Sequence, residues 1–242
     1  MKRILSFCLA FVLLLGAVSA VSFSDVPKGI WYEEPVNWAV ELDITKGTDA
    51  AHFSPDKPCT RAEFVTFLYR VAREHRELFA FAPLDKDSPN EQGRGGYMDF
   101  SESEYRLMFK DVKRSDYFFA SASWAAVEGL IEGTSLTRFS PDDLITREQV
   151  AVILERFAKK WCGYHIDEFY AEEAFTRADP VSLWARQGMR FAIGAHILKG
   201  DGAGWQAKKT CTRAEAVTML WRLTLQSFPR IIDDGGEGIP IF

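Results

Sequence analysis

The sequence repeats one pattern three times at constant spacing, and this periodicity constrains the fold more than any other feature. Each copy contains a Thr-Arg pair, at Thr60, Thr146 and Thr212. One aromatic residue stands 38 residues before each arginine, and another stands eight residues before it. These aromatic positions are Phe23, Phe109 and Phe175 for the first, and Phe53, Phe139 and Trp205 for the second. The chain is therefore predicted to contain three copies of one supersecondary unit.

Each copy predicts two helices joined by a turn-rich loop. Apolar residues follow each Thr-Arg pair at i, i+3, i+4 and i+7, which is typical of a long helix that faces a core. A Glu or Gln three residues after each threonine predicts a capping box at the start of that helix. A shorter helix is predicted at about residues 33–42, 120–128 and 183–195, each ending near one of the glycines Gly47, Gly133 and Gly200.

One helical hairpin of this size cannot bury its apolar face alone. The predicted fold is therefore mainly all-α, with three helix-loop-helix repeats forming a pseudo-threefold trimer around a central bundle of three long helices. The predicted repeats are residues 21–80, 107–165 and 166–228. Residues 81–106 are predicted to be a linker with a polar insertion, and residues 229–242 a flexible tail.

The first twenty residues are typical of a secretory signal peptide. Lys2 and Arg3 precede an apolar run that ends in small residues, and this run is shorter than the roughly 20 residues that a membrane span needs. We predict cleavage after residue 20, with an uncleaved anchor as the alternative. The remaining chain has 27 Lys and Arg against 34 Asp and Glu. This acidic balance argues against nucleic acid or an anionic membrane as partner.

Three cysteines follow the signal peptide, and an odd number cannot form a closed disulfide framework. Cys59 and Cys211 directly precede their Thr-Arg pairs, where the second copy has Ile145. We interpret these two cysteines as small buried apolar side chains. A single disulfide is the alternative.

An arginine occupies the first position of each predicted long helix, at Arg61, Arg147 and Arg213. The helix dipole disfavours a cation there by roughly 0.3–1 kcal/mol. The same helix end attracts anions through its free amides, and a guanidinium pairs well with a carboxylate. We therefore predict anion binding at these arginines. The alternative is that each one forms a salt bridge with an acid of a neighbouring repeat, such as Asp25 or Asp111.

Further candidate ligand-binding residues are shared by the copies: the aromatics Trp31, Tyr117 and Trp184, the acids Asp25 and Asp111, and the glycines Gly47, Gly133 and Gly200. The aromatics are predicted to stack on sugar rings, or else to lie in the core. The acids are predicted to bind hydroxyl groups or to cap helices, and the glycines to admit a ligand or to end helices. The sequence contains no recognisable catalytic, metal-binding or cofactor motif. We predict a protein that is not an enzyme and has no cofactor.

Phe-x-Asp-Val at Phe23, Phe-x-Pro-Asp at Phe53 and Thr-Arg-Ala-Glu at Thr60 and Thr212 resemble the S-layer homology (SLH) domain over about residues 22–225. The resemblance implies a three-lobed pseudo-trimer, secreted to the cell wall or cell surface (S-layer) of a bacterium. Its inter-lobe grooves would bind a secondary cell-wall polysaccharide that is often pyruvylated. The three arginines would then meet the ketal carboxylate, with Asp25, Asp111 and the aromatics near the sugar.

The copies also depart from the family pattern. The usual Asp-Gly before the loop aromatic is missing in the first two copies, and the third copy has Arg177 in place of its opening aspartate. We therefore expect one or two working grooves. The competing hypothesis is a structural or adaptor protein whose repeats bind peptidoglycan or another surface protein.

Overall fold

The computed structural model describes residues 23–75, 78, 109–160, 180–202 and 204–226. The predicted signal peptide, the polar insertion, Cys162 and the predicted tail lie outside the described residues. The described part of the chain is helical, with short backbone bridges and no strand. Its helices are α1 (Glu33–Glu41), α2 (Arg61–Glu74), α3 (Phe119–Val127), α4 (Arg147–Lys160), α5 (Arg186–Gly194) and α6 (Arg213–Thr224). A 3₁₀ turn at Leu183–Ala185 precedes α5.

The three long helices begin immediately after the capping threonines, as the sequence predicts. The Glu63 amide donates to Thr60 Oγ1 at 3.2 Å, and the Thr60 amide donates to Glu63 Oε2 at 3.0 Å. Thr212 and Glu215 form the same box at the start of α6. At the start of α4 a glutamine replaces the glutamate, and the amide of Thr146 donates to Gln149 Oε1 at 3.0 Å. Each long helix therefore begins at its arginine.

The short helices end within one residue of the predicted positions, but a different residue terminates each of them. The residue with positive φ that terminates each one is not Gly47, Gly133 or Gly200 but the residue four positions earlier in each copy. These residues are Asp43 (φ 53°), Gly129 (φ 65°) and His196 (φ 56°). In the first copy the Ile44 amide then donates back to the Ala39 carbonyl at 2.8 Å. A left-handed residue followed by a backward amide bond is the usual way to satisfy the last carbonyls of a helix.

The pseudo-threefold axis passes through a closed ring of backbone hydrogen bonds. The Cys59 amide donates to the Cys211 carbonyl at 2.9 Å, and the Cys211 amide donates to the Ile145 carbonyl at 2.8 Å. The Ile145 amide closes the ring on the Cys59 carbonyl at 3.0 Å. All three side chains are fully buried, and both cysteines are free thiols, so the disulfide alternative is wrong. Burial raises the pKa of Cys211, and also that of Cys59, well above the usual value.

Each short helix packs against the long helix of another repeat, α1 on α6, α3 on α2 and α5 on α4. One equivalent contact differs between these interfaces. The hydroxyls of Thr66 and Ser121 lie 3.0 Å apart between α2 and α3. Between α4 and α5 the same positions hold Val152 and Gly188, where a Cβ on the glycine would lie 2.6 Å from Val152 Cα. These two interfaces are therefore equivalent in position but packed differently.

The loop between the two helices of a repeat is closed by contacts within that repeat, as the first copy shows. Both oxygens of Asp25 accept backbone amides, from Phe53 at 2.9 Å and Ser54 at 2.8 Å. Gly47 lies under the ring of Phe23, with φ +77°. A side chain there would lie 2.7 Å from both the Phe23 ring and the His52 carbonyl. The loop conformation thus requires a glycine at this position.

Candidate functional site: three grooves between repeats

Three grooves lie between the repeats, and each is named after the aromatic residue beside its short helix. The Trp31 groove contains Trp31, Arg147 and the loop of the third repeat. The Tyr117 groove contains Tyr117, Arg213 and the loop of the first repeat, because charges on Arg213 and Glu63 act on the Tyr117 hydroxyl. By the same symmetry, Trp184, Arg61 and the loop of the second repeat are assigned to the third groove, which we call the Trp184 groove.

The aromatic side chains of all three grooves are exposed. Trp31 is 54% exposed, Tyr117 67% and Trp184 59%. The alternative that these aromatics belong to the core is therefore wrong. An exposed aromatic at the same position of three repeats offers a flat apolar face to a ligand. Stacking on a sugar remains a prediction for each of them.

The three arginines are buried and hold neighbouring repeats together. Arg147 is 7% exposed and donates to the carbonyls of Trp205 at 3.2 Å and Lys199 at 2.7 Å. Its Nη1 also lies 2.7 Å from Glu215 Oε1. Each guanidinium thus reaches from its own repeat to the loop of the next one. A fork of donors fixed in this way orients the loop that forms one wall of a groove.

Arg213 and Arg61 differ in one partner. Arg213 donates to the Phe53 carbonyl at 3.1 Å and pairs with Glu63 at 3.1 Å. Arg61 donates to the Phe139 and Glu132 carbonyls at 2.9 and 3.0 Å, but the position of the pairing glutamate is taken by neutral Gln149. Burial lowers the pKa of Arg61, while the nearby carboxylates of Asp143 and Asp111 oppose that shift.

The salt-bridge alternative for these arginines thus holds for Arg147 and Arg213, but with other acids than the sequence suggested. The partners are the capping-box glutamates Glu215 and Glu63, not Asp25 or Asp111. A capping glutamate already points toward the helix start, which brings its second oxygen within reach of an arginine at the start of the next long helix. The sequence shows this only as a Glu three residues after each capping threonine in the first and third copies.

The prediction of free amides at the helix starts is wrong. The amide of Arg61 donates to the Asp143 carbonyl at 2.9 Å, and the amide of Arg147 donates to the Lys209 carbonyl at 3.0 Å. The next amide of each helix donates to a loop carbonyl in the same way. These helix ends therefore bind neighbouring backbone, so an anion in a groove must be held by side chains.

The candidate acids and glycines have roles in the loops. Asp111 accepts the amides of Phe139 and Ser140, both at 2.8 Å, as Asp25 does in the first repeat. A Cβ at Gly133 would collide with the Arg138 and Ser135 carbonyls, and one at Gly200 would lie 2.8 Å from the Gly204 carbonyl. Gly200 also lines the Trp31 groove. Contact of any of these residues with a ligand remains a prediction.

The Trp31 groove contains a cavity of about 340 Å³. Four cationic and two acidic side chains line it: Arg147, Lys199, Lys209 and Arg222, with Asp201 and Glu215. Burial lowers the pKa of Arg222, and the charge of Arg147 lowers it further. Cations that disfavour one another in a small open cavity create a positive potential suited to an anion.

Sequence reasoning did not find Lys199, Lys209 or Arg222. A signal existed for the second of them, because a lysine stands four residues before the arginine in the first and third copies, at Lys57 and Lys209. Among the described residues, no group of acidic, histidine or cysteine side chains is arranged to hold a metal ion. In the same part of the chain, no helix has the length and apolar character that crossing a membrane requires.

Three helical repeats with charged and aromatic side chains at the boundaries between them define an all-α repeat module. The S-layer homology domain model matches residues 22–65 and 109–151. The chain is also 25% identical over 226 residues to "S-layer protein sap" of Bacillus anthracis, which covers 90% of this chain and 24% of that protein. It is 26% identical over 215 residues to an endoglucanase of Bacillus sp. (strain KSM-635), covering 87% of this chain and 20% of that protein. The chain spans about a quarter or less of these curated relatives.

This chain contains two S-layer homology repeats that match the family model, as its sequence motifs suggested. Its first two repeats match the family model, and its third repeat has the same capping box and the same buried arginine. The chain is also 25% identical to an S-layer protein of Bacillus thuringiensis subsp. finitimus, which covers 90% of this chain and 24% of that protein. The family match and these similarities indicate a secreted, cell-surface protein with a general role in cell-wall anchoring.

Proposed function

We propose that the chain is a non-catalytic anchor that binds an anionic, pyruvylated secondary cell-wall polysaccharide in its inter-repeat grooves. The observation that carries this proposal is the Trp31 groove, where an exposed tryptophan faces a cavity lined by four cations. The repeats that form the grooves are the three units proposed from sequence, residues 21–80, 107–165 and 166–228.

The chemistry of the Trp31 groove fits a sugar that carries a carboxylate. The apolar face of a pyranose ring stacks on an indole, while a ketal carboxylate needs a cation nearby. A cavity of about 340 Å³ is at the small end of ligand sites, which suits one substituted sugar unit of a longer polymer. Lys209 is about half exposed and Lys199 is exposed, so both amines are accessible from solvent.

Arg147 has a supporting role in this proposal. Its guanidinium is bound to Glu215 and to two loop carbonyls, so it fixes the loop that forms one wall of the groove. Its positive charge adds to the potential in the cavity. The exposed lysines are therefore the residues to vary in a binding experiment. Replacing Arg147 would also disturb the contact between the second and third repeats, which would confuse loss of binding with loss of fold.

The test is sedimentation of the protein with purified cell walls, before and after chemical removal of the attached polysaccharide. We expect retention on intact walls, loss after removal, and weaker retention as NaCl is raised, because exposed charges are screened by salt. Lys199→Ala/Lys209→Ala and Trp31→Ala should each weaken retention about tenfold, which corresponds to about 1.4 kcal/mol.

Two control variants match these changes. Lys208→Ala removes a neighbouring exposed lysine that does not line the cavity, and Leu136→Ala removes an exposed apolar side chain of a distant loop. Both should bind walls as the unaltered protein does. Retention that survives removal of the polysaccharide would instead favour peptidoglycan or a surface protein as the partner.

A further inference from the structure

The closed ring at the pseudo-threefold axis places two cysteines opposite each other. Pro58 and Thr212 form an antiparallel bridge, and the hydrogen bond from the Cys59 amide to the Cys211 carbonyl lies next to it. Cys59 and Cys211 are therefore the next directly opposed pair along the same two segments. Residues opposed in this way project their side chains to one face, with Cβ atoms about 4.5–5.5 Å apart.

Both thiols point into the core and make equivalent contacts. The side chains of Cys59 and Cys211 are fully buried, whereas the neighbouring Pro58 is exposed. Each thiol donates to the carbonyl of the threonine that follows it, with 3.6 Å between sulfur and oxygen. Burial raises the pKa of Cys59 most, and the nearby charge of Cys211 raises it further. The two sulfur atoms thus lie on the same side of the ring and influence one another.

The spacing of this pair is within reach of a disulfide bond. Opposed residues of a hydrogen-bonded antiparallel pair have Cα atoms about 5.5 Å apart, and disulfides usually have Cα atoms about 4.4–6.8 Å apart. The Cβ atoms must approach to about 3.5–4.5 Å, which takes a small adjustment of the two segments. The bond would join the first repeat to the third and close a loop of about 150 residues.

Burial protects these thiols while the repeats remain closed. The thiolate is the reactive form of cysteine, and burial raises the pKa of both thiols. An oxidant in solution reaches neither sulfur until the first and third repeats separate locally. That separation breaks the ion pair of Arg213 with Glu63 and the hydrogen bond from the Arg213 amide to the Lys57 carbonyl. The rate of oxidation therefore depends on how often this boundary opens.

We propose that Cys59 and Cys211 form an oxidation site, which covalently joins the first and third repeats when their boundary opens in the presence of a small-molecule disulfide. The closed structure with free thiols is the reduced form of this site. In the first step, one cysteine thiolate attacks a sulfur of the small-molecule disulfide, forms a mixed disulfide and releases one reagent thiolate.

In the second step, the other cysteine thiolate attacks the cysteine sulfur of the mixed disulfide and releases the second reagent thiolate. The two cysteines lose two electrons and two protons in total. The reagent takes up both and becomes two thiols, so no further oxidant is needed.

Oxidation makes the closed arrangement of the repeats permanent. A disulfide stabilises a fold mainly by restricting the unfolded chain, and the effect grows with the length of the loop that it closes. The first and third repeats are the two ends of the pseudo-trimer, so a bond between them also prevents their separation. The inference concerns the axis and not the grooves, so it can fail without affecting the proposed function.

The experiment incubates the purified protein with oxidised glutathione, with and without urea at a concentration below the unfolding transition. Alkylation of free thiols and peptide mapping without reduction then identify the linked cysteines by mass spectrometry. We expect a link between Cys59 and Cys211 that forms slowly in buffer and about tenfold faster in urea. The linked protein should melt about 5–10 °C higher than the reduced protein, and dithiothreitol should reverse this shift.

A matched variant moves the cysteine pair to another boundary of the ring. The Cys211 amide donates to the Ile145 carbonyl just as the Cys59 amide donates to that of Cys211. Cys59→Ile/Ile145→Cys should therefore form the equivalent link between positions 145 and 211, with a similar gain in melting temperature. Cys59→Ile alone is the control, and it should show no link at the axis and no gain. Circular dichroism checks that both variants fold.

Three outcomes with the unaltered protein would overturn the inference. The first is glutathione adducts that never close to an internal link, and the second is a link from either cysteine to Cys162. The third is a linked protein that melts no higher than the reduced one. Equal rates of oxidation with and without urea would show that the boundary does not need to open.

Discussion

The Trp31 and Trp184 grooves show how one scaffold yields two different electrostatic environments. In both, an arginine at the start of a long helix donates to carbonyls of the neighbouring loop, and an exposed tryptophan stands at the edge. The Trp31 groove adds lysines to that frame, whereas the Trp184 groove adds Glu132 and Asp143. The backbone contacts that build a groove are therefore separable from the side chains that set its charge.

The contacts of the arginines also differ between grooves, because Arg213 forms a salt bridge with a carboxylate and Arg61 donates to backbone carbonyls. Arg213→Ala should lower the free energy of unfolding by about 3–5 kcal/mol, since it leaves Glu63 without its buried partner. Arg61→Ala should cost about 1–3 kcal/mol, since it leaves only backbone carbonyls unpaired. Urea unfolding followed by circular dichroism measures both. Equal losses would show that the carboxylate does not distinguish the two grooves.

This first prediction revises what the sequence alone suggests for the arginines. If Arg61 and Arg147 bound an anion, replacing either one by alanine would weaken binding of the protein to cell walls with little loss of stability. With both side chains less than a tenth exposed and bound to a neighbouring repeat, we expect loss of stability to dominate.

The loops of the two kinds of groove should depend equally on glycine. Gly47→Ala places a Cβ 2.7 Å from the Phe23 ring at positive φ, and Gly133→Ala places one against the carbonyls of Arg138 and Ser135. Each should destabilise the protein by about 2–4 kcal/mol through overpacking, to which the positive φ adds backbone strain at Gly47 alone.

Gly29→Ala is the control for these glycines, because Gly29 has φ +80° and a Cβ added there would meet no atom within 4 Å. This substitution should lower the free energy of unfolding by about 1 kcal/mol, because it adds only the strain of a non-glycine residue at positive φ. Thermal unfolding of the three variants provides the comparison. If Gly47→Ala and Gly29→Ala cost the same, the close approach of the Phe23 ring contributes nothing.

The smallest expected effect concerns pH and the loop of the Trp184 groove. Burial opposes ionisation of Asp111, but amides of Phe139 and Ser140 and the charge of Arg138 outweigh it and lower the pKa of this carboxyl. Because the pKa of Asp111 is lower in the folded state than in the unfolded state, the ionised carboxyl stabilises the fold at pH values above the unfolded pKa of about 3.9. This stabilisation is lost as the pH falls through the folded pKa. Asp111→Asn should therefore show a shallower loss of stability below about pH 4 in urea unfolding. An unchanged slope would contradict this assignment.

The repeat periodicity allowed the architecture to be predicted well. The apolar spacing and the Thr-x-x-Glu boxes placed the long helices correctly, because both signals depend on contacts within one helical turn. The ends of the short helices were placed to within one residue, but the residues of positive φ that follow them were assigned to the wrong positions. Asp43 and His196 adopt positive φ there, which is uncommon for residues other than glycine.

The sequence by itself determined the three repeats, their helices and the positions of the arginine-bearing motifs along the chain. Only the tertiary structure decided which groups meet across repeats. It paired Arg147 with Glu215, occupied the helix-start amides with loop carbonyls, and assembled the Trp31 groove from all three repeats. Such contacts join residues about 50 to 170 positions apart. Their energies depend on distance and burial, which only the assembled trimer of repeats defines.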